Sequence, residues 1–173
     1  MSEFMTRTVV LYGTIKKDGL NEWLEFYRAT KSMLTEFGLE ANYLGVVGDS
    51  FTSGKVTKLK RTEKKLINSL KNNESLTSLS LYTLPSDFEI AAFDYQAYIG
   101  RKVEGNHGYI IATFLKDSID SSHMENLVQE LKKYIDFMSG EVFDMLNVES
   151  PQIYVSKVND ESSFKSLRII KKL

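Results

Sequence analysis

Apolar and polar positions along this chain follow two rhythms, and the rhythms mark out its elements. Residues 8–15 are apolar or β-branched almost throughout, as in a strand buried on both faces. Asp18 is placed to cap a helix, and Leu20, Trp23, Leu24, Tyr27, Leu34 and Phe37 then recur at helical spacing. They predict a helix over 20–37, with Gly38 as its left-handed terminator. A second strand is expected over 42–47. Residues 48–61 hold Gly48 and Gly54 and show no period, so they read as a loop. Thr62 then caps a short helix with Leu66, Ile67 and Leu70 inward, ended by Asn72 and Asn73. Leu79, Leu81 and Thr83 alternate with Ser78, Ser80 and Tyr82, which predicts a half-buried strand stopped by Pro85.

The second half reads similarly. Ala91, Phe93, Tyr95 and Ala97 alternate with Asp94, Gln96 and Tyr98 as in a strand. Residues 100–108 read as a turn region, and 109–115 as a strand returning in a hairpin with a loop longer than the tightest types. Ser122 and Glu125 have capping-box spacing. Met124, Leu127, Val128, Leu131, Tyr134, Ile135 and Met138 continue as one stripe to Gly140. Strands are expected over 141–148 and 152–158; residues 164–173 fit either period and are taken as strand. The layout strand–helix–strand thus occurs twice, about one hundred positions apart. The fold class expected is α+β: a mixed, largely antiparallel sheet with helices mainly on one face, built from two pseudo-repeated β-α-β units in the manner of ferredoxin-like halves.

Composition narrows the classes of function. With 173 residues and no linker-like stretch, one domain is expected over 5–173. Met1-Ser2-Glu3-Phe4 reads as a cloning remnant, because Glu-Phe is what an EcoRI site encodes. The absence of cysteine removes disulfides, thiolate metal sites and cysteine nucleophiles. No run approaches the ~20 apolar residues of a membrane span, and a cytoplasmic location is expected. A net charge of −1 does not suit a protein built to coat nucleic acid. The charge is uneven, +3 over residues 1–86 and −4 over 87–173.

Few motifs carry chemistry. Gly48-Asp49-Ser50-Phe51-Thr52-Ser53-Gly54-Lys55-Val56 follows a strand as a phosphate loop should, but it has five residues between its glycines, and Val56 stands where Mg²⁺ needs a hydroxyl. No cofactor is expected. Lys55, Lys58, Lys60, Arg61, Lys64 and Lys65 form a basic run with one acid, Glu63. That run suits an acidic partner or a phosphate backbone; its plainer reading is a solvated surface. His107 and His123 lie too far apart in sequence for a local metal motif. Asp94 is unusual in mid-strand, where Asp is disfavoured. Tyr82, Tyr98 and Arg101 have the composition of a protein–protein hot spot and are expected at the surface, while Trp23 reads as core.

The strand–helix–strand opening, the segment Arg61-Thr62-Glu63-Lys64-Lys65-Leu66-Ile67 and the run Ala91-Ala92-Phe93-Asp94-Tyr95 together resemble the small cytosolic α/β immunity proteins that bacteria encode beside polymorphic or contact-delivered toxins. The resemblance implies a non-enzymatic protein that binds a cognate toxin domain and occludes its active site. Asp49, Lys55, Lys58, Lys60, Arg61, Tyr82, Tyr98 and Arg101 are the partner-binding candidates. Two alternatives stand beside it. One is a small enzyme or ligand-binding domain with a pocket near His107, Asp94 and Lys55. The other is an anti-defence inhibitor carried by a phage or plasmid.

Overall fold

The computed structural model describes residues 2–15 and 20–173. Eight strands form one sheet: β1 (Met5–Thr14), β2 (Tyr43–Gly48), β3 (Val56–Lys58), β4 (Leu76–Thr83), β5 (Ala97–Glu104), β6 (His107–Leu115), β7 (Asp136–Leu146) and β8 (Arg168–Lys172). Among the described residues four α-helices accompany them: α1 (Leu20–Glu36), α2 (Leu59–Lys71), α3 (Ser121–Leu131) and α4 (Pro151–Val155). The strand order is β3-β2-β4-β5-β6-β1-β7-β8, and every neighbouring pair is antiparallel. The α+β class and the antiparallel sheet agree with the sequence reading.

The internal repeat does not fall where the sequence pattern put it. β6 and β7 flank β1, so β6–α3–β7 is a split β-α-β unit around one strand. β1 and β2 are separated by β4, β5 and β6, so β1–α1–β2 reaches across half the sheet. The unit shaped like β6–α3–β7 is β3–α2–β4, which brackets β2.

Alternation along each strand separates two cores. Val9, Leu11, Leu44, Leu79, Leu81, Ile99, Ile110 and Ala112 face α1, α2 and α3, and meet Trp23, Phe26, Leu34, Leu66, Leu127 and Leu131. Val10, Tyr82, Tyr98, Ile111 and Phe143 face the other way. Tyr95 and Phe164 from irregular segments and Tyr154 and Val155 of α4 cover part of that side. Helices therefore lie mainly on one face, as expected. Gly38 ends α1 with φ +75°, and the Leu39 amide returns to Leu34 O at 2.8 Å, the expected left-handed stop. The Asp18 cap and the side chain of Leu20 lie outside the described residues.

Several boundaries differ from the sequence reading, each for a local reason. The loop expected over 48–61 contains β3 and the start of α2, so Thr62 lies within the helix, with its hydroxyl on Thr57 Oγ1. Residues 91–96 are a turn, in which Asp94 accepts hydrogen bonds from the Glu89 and Ile90 amides at 2.9 and 2.8 Å. An Asp that disfavours a strand here organises a turn. The region expected as a turn over 100–108 is mostly strand, joined by a two-residue loop with Gly105 at φ +63°. The cap of α3 is Asp120, whose carboxylate accepts from the His123 amide at 2.8 Å, not Ser122. That helix stops at Leu131, and β7 begins at Asp136, leaving Met138 69% exposed. Gly140 sits mid-strand, where a Cβ would come 2.5 Å from Val10 O. The strand expected over 152–158 is α4, entered through Ser150, which caps the Ile153 amide, and Pro151. Residues 168–172 are strand.

Asn147 joins distant segments of the second core. Its amide nitrogen donates to Ser2 O and Phe93 O, and its carbonyl oxygen accepts from the Phe4 amide at 2.9 Å. Phe4 also meets Tyr95 edge-on at 6.1 Å.

Candidate protein-docking surface

β3 runs into α2 without a loop. Lys58 is the last strand residue and also the N-cap, at φ −59° and ψ 130°, with no side-chain cap. The first turn of α2 holds no acidic residue, so the positive end of the helix dipole is left unneutralised there. Leu59, Leu66, Ser69 and Leu70 turn inward. The 3.6-residue period then sends Lys60, Arg61, Lys64 and Lys65 outward, and all four are exposed, as are Lys55 and Lys58.

The one acid in the run does not neutralise it. Glu63 accepts from Lys31 Nζ at 2.6 Å and from the Tyr27 hydroxyl. The bonds from Lys31 and then Tyr27 hold its carboxyl below the ordinary glutamate value. Lys65 lies over the Phe51 ring, 4.6 Å from its centroid. Among the described residues, no side-chain hydrogen bond or ion pair engages Lys55, Lys58, Lys60, Arg61 or Lys64. Residues 55–65 carry a net +5, and the rest of the chain −6.

Behind this ridge the sheet face opposite α1–α3 forms an open trough of about 420 Å³. Its floor is the register row Gly45–Ser80–Gly100–Ile111, in which three neighbouring strands contribute almost no side chain. One wall is Tyr82 and Tyr98, stacked with ring centroids 5.4 Å apart and 19° between planes. Lys102 and Tyr109 form the other. Gly54 and Val56 line the end at the β3 edge, next to Lys55, while α2 with Lys60, Arg61, Lys64 and Lys65 packs on the other face of the sheet. A second groove, of about 720 Å³ and lined in part by Lys31, Asn42, Lys58, Lys60 and Pro85, lies at the start of α2.

The sequence candidates divide accordingly. Lys55, Lys58, Lys60 and Arg61 come together on the ridge. Asp49 is exposed, and its carboxylate accepts from the Ser75 amide at 2.9 Å, closing a turn. Tyr82 and Tyr98 are not surface residues: at 7% and 3% exposure they are trough wall packed into the second core. Arg101 is also misplaced by the sequence reading. It is 1% exposed and points to the opposite face, where Nε donates to Tyr134 O at 3.0 Å and Nη2 to Glu22 at 2.9 Å. Its guanidinium lies 4.3 Å from the Trp23 ring centre. Tyr82, Tyr98 and Arg101 therefore form no common patch. His107 and Asp94 lie at opposite ends of the β5–β6 hairpin and do not converge. Sequence reasoning missed Gly45, Ser80 and Gly100, although glycine inside a strand signals a close approach.

A second ionic cluster lies under β8. Glu141, 4% exposed, accepts from the Tyr154 hydroxyl and from Lys172 Nζ at 2.8 Å. Burial pushes its carboxyl up, but Lys172, Tyr154 and the nearby Lys157 charge together hold it below the ordinary value. Lys157, at φ +59°, places its ammonium 4.6 Å from the Tyr154 ring centre and 5.3 Å from that of Tyr12. Asp144 is paired with Arg7 at 2.8 Å and Lys116 at 3.5 Å. Glu141 with Lys172 ties β7 to β8, whereas Asp144 with Arg7 ties β7 to β1 on the other face. Among the described residues, no group of three or more His, Asp or Glu is placed to hold a metal ion, and no helix is long and apolar enough to cross a membrane.

No protein-family model matches the chain, and no curated protein matches it. Among solved structures it is similar to the Pseudomonas aeruginosa T6SS protein PA0821, with a TM-score of 0.58 at 10% sequence identity. The likeness covers 87% of this chain and 43% of that one, so this chain spans less than half of that protein's length. At this identity the likeness is one of fold.

Proposed function

We propose that this is a non-enzymatic binding protein of the immunity type, which seats the β3–α2 ridge and the adjoining trough on a cognate toxin domain and occludes its active site. One observation carries the reading: a row of exposed cations, without side-chain partners among the described residues, lies at the β3 edge of the sheet, where an open, tyrosine-walled trough on the face opposite α2 also ends. A ridge of charge speeds and orients encounter, and a recess beside it accepts a buried anchor. The buried ionisable groups Arg101, Glu141 and Asp144 are engaged in internal bonds, which suits a scaffold role. The fold likeness to a T6SS protein suits a bacterial setting of this kind.

The test is affinity capture from the source organism, followed by reconstitution with each captured protein and an assay of that protein's own activity. A stoichiometric complex in which the partner's activity is lost is the expected result. Turnover of a metabolite by the purified protein, with no stable complex, would replace this reading with the enzyme alternative.

A further inference from the structure

We infer that the β3–α2 ridge docks an acidic polypeptide surface, an inference that deepens the binding reading above and rests on it. Residues 55–65 are +5 within a chain of −1, so the ridge is a local reversal of the protein's charge. Cations that serve packing or stability in this molecule have partners. Arg7 has Asp144, Lys31 has Glu63, and Lys172 has Glu141. On the ridge, the single acid is turned inward onto Tyr27 and Lys31, leaving the outward cations to interact with whatever approaches. Arg61 and Lys65, like Lys60 and Lys64, stand four residues apart on one helix, so their charges line up as a stripe.

A polypeptide fits this stripe better than a nucleic acid does. Single-strand binders interleave cations with free aromatic faces. The nearby aromatic rings are engaged internally: Phe51 lies under the Lys65 ammonium, and Tyr82 and Tyr98 are stacked on each other. The −6 carried by the rest of the chain would repel a polyanion that ran past the ridge, whereas a compact acidic patch meets only the ridge.

The experiment is a titration of the ¹⁵N-labelled full chain with an oligoglutamate peptide, repeated on two matched variants. One variant is K58E/K60E/R61E. The other is K165E/R168E/K171E, which reverses three exposed cations at the β8 end and changes the net charge equally. Amide shifts confined to 55–65 and the trough rim, binding weakened about tenfold on the ridge variant and within about twofold of the parent on the control are expected. The parent's affinity is also expected to fall as the Debye length shrinks from about 10 Å at 0.1 M salt toward 3 Å at 1 M. Equal loss on both variants shows a net-charge effect and overturns the inference. So does loss on neither, or tighter binding of a single-stranded oligonucleotide at the same residues. The same variants separate the two readings. A captured toxin bound with a rate indifferent to salt and to ridge reversal keeps the immunity reading and removes the acidic docking. Oligoglutamate held on the ridge with no toxin captured does the reverse.

Discussion

The two faces of the sheet solve the same burial problem with different means. On one, α1, α2 and α3 lay long amphipathic stripes over an aliphatic floor, with Trp23 and Phe26 among them. On the other, coverage comes from the irregular residues 84–96, the short α4 and the segment leading to β8. That core is held by broad rings: Tyr82, Tyr95, Tyr98, Phe143, Tyr154 and Phe164. Phe143 meets Tyr154 at 4.8 Å, and Tyr154 meets Phe164 at 5.4 Å, both edge-on. An aromatic ring buries 150–250 Å² from one attachment point, roughly, so a chain that touches the sheet at intervals can still seal it. Sparse coverage also leaves part of the face open, and the trough lies there.

The largest expected effect is on the helical face. Trp23→Ala removes a fully buried ring and the surface on which Arg101 rests, and is expected to cost about 4 kcal/mol in urea unfolding. Its loss is predicted to be global, lowering exchange protection throughout the sheet. Phe164→Ala, at the margin of the second core, is expected to cost about 3 kcal/mol. Protection there is predicted to fall mainly over 147–167. If Phe164→Ala unfolds the molecule as globally as Trp23→Ala, the two faces are not separable in the way described.

Glu141→Gln comes next. Losing the charge partner of Lys172 beneath β8 is expected to cost about 2 kcal/mol at neutral pH. The pH dependence has a definite sign. Glu141 and Asp144 are held below their ordinary values of 4.5 and 3.8 in the folded state, so their contribution is complete above those values. It is lost as pH falls through the folded values. The urea midpoint of the parent is therefore expected to fall below about pH 4.5, and that of Glu141→Gln to fall less steeply.

How much of this was legible in the sequence follows the same division. α1 was visible because a regular helix repeats its buried positions, β4 because its strand alternates, and β1 and β6 because they are apolar, β-branched runs of strand length. The second face was not, because a covering loop has no period. Ala91, Phe93 and Tyr95 alternate by coincidence in a turn that Asp94 organises. Stripe and strand periods also overlap over short spans, which ran the α3 pattern into β7. At the candidate site, the ridge was legible as composition. The trough was not, because its floor is three strands in register and no local pattern reports cross-strand neighbours. Arg101 was misread for the same reason: an arginine in a polar stretch gives no sign that Trp23 and Glu22 wait above it.

The smallest effects fall on the docking edge. Gly100→Ala places a Cβ 2.7 Å from Ser80 Oγ, a side chain that can turn away. It is expected to cost about 1 kcal/mol or less in stability while shallowing the trough and weakening partner binding. K58E/K60E/R61E is expected to shift stability by no more than about 0.5 kcal/mol, since these side chains are exposed and make no pair among the described residues. A large loss of stability in that variant would move the ridge from recognition to scaffold.

The measurement that bears most directly on the account is hydrogen exchange on the reconstituted partner complex. Slowed exchange is predicted over 43–48, 55–65, 76–82 and 98–102, with α3 and β8 unchanged. Protection centred on α3 and β8, with the ridge and trough exchanging as in the isolated protein, would contradict it.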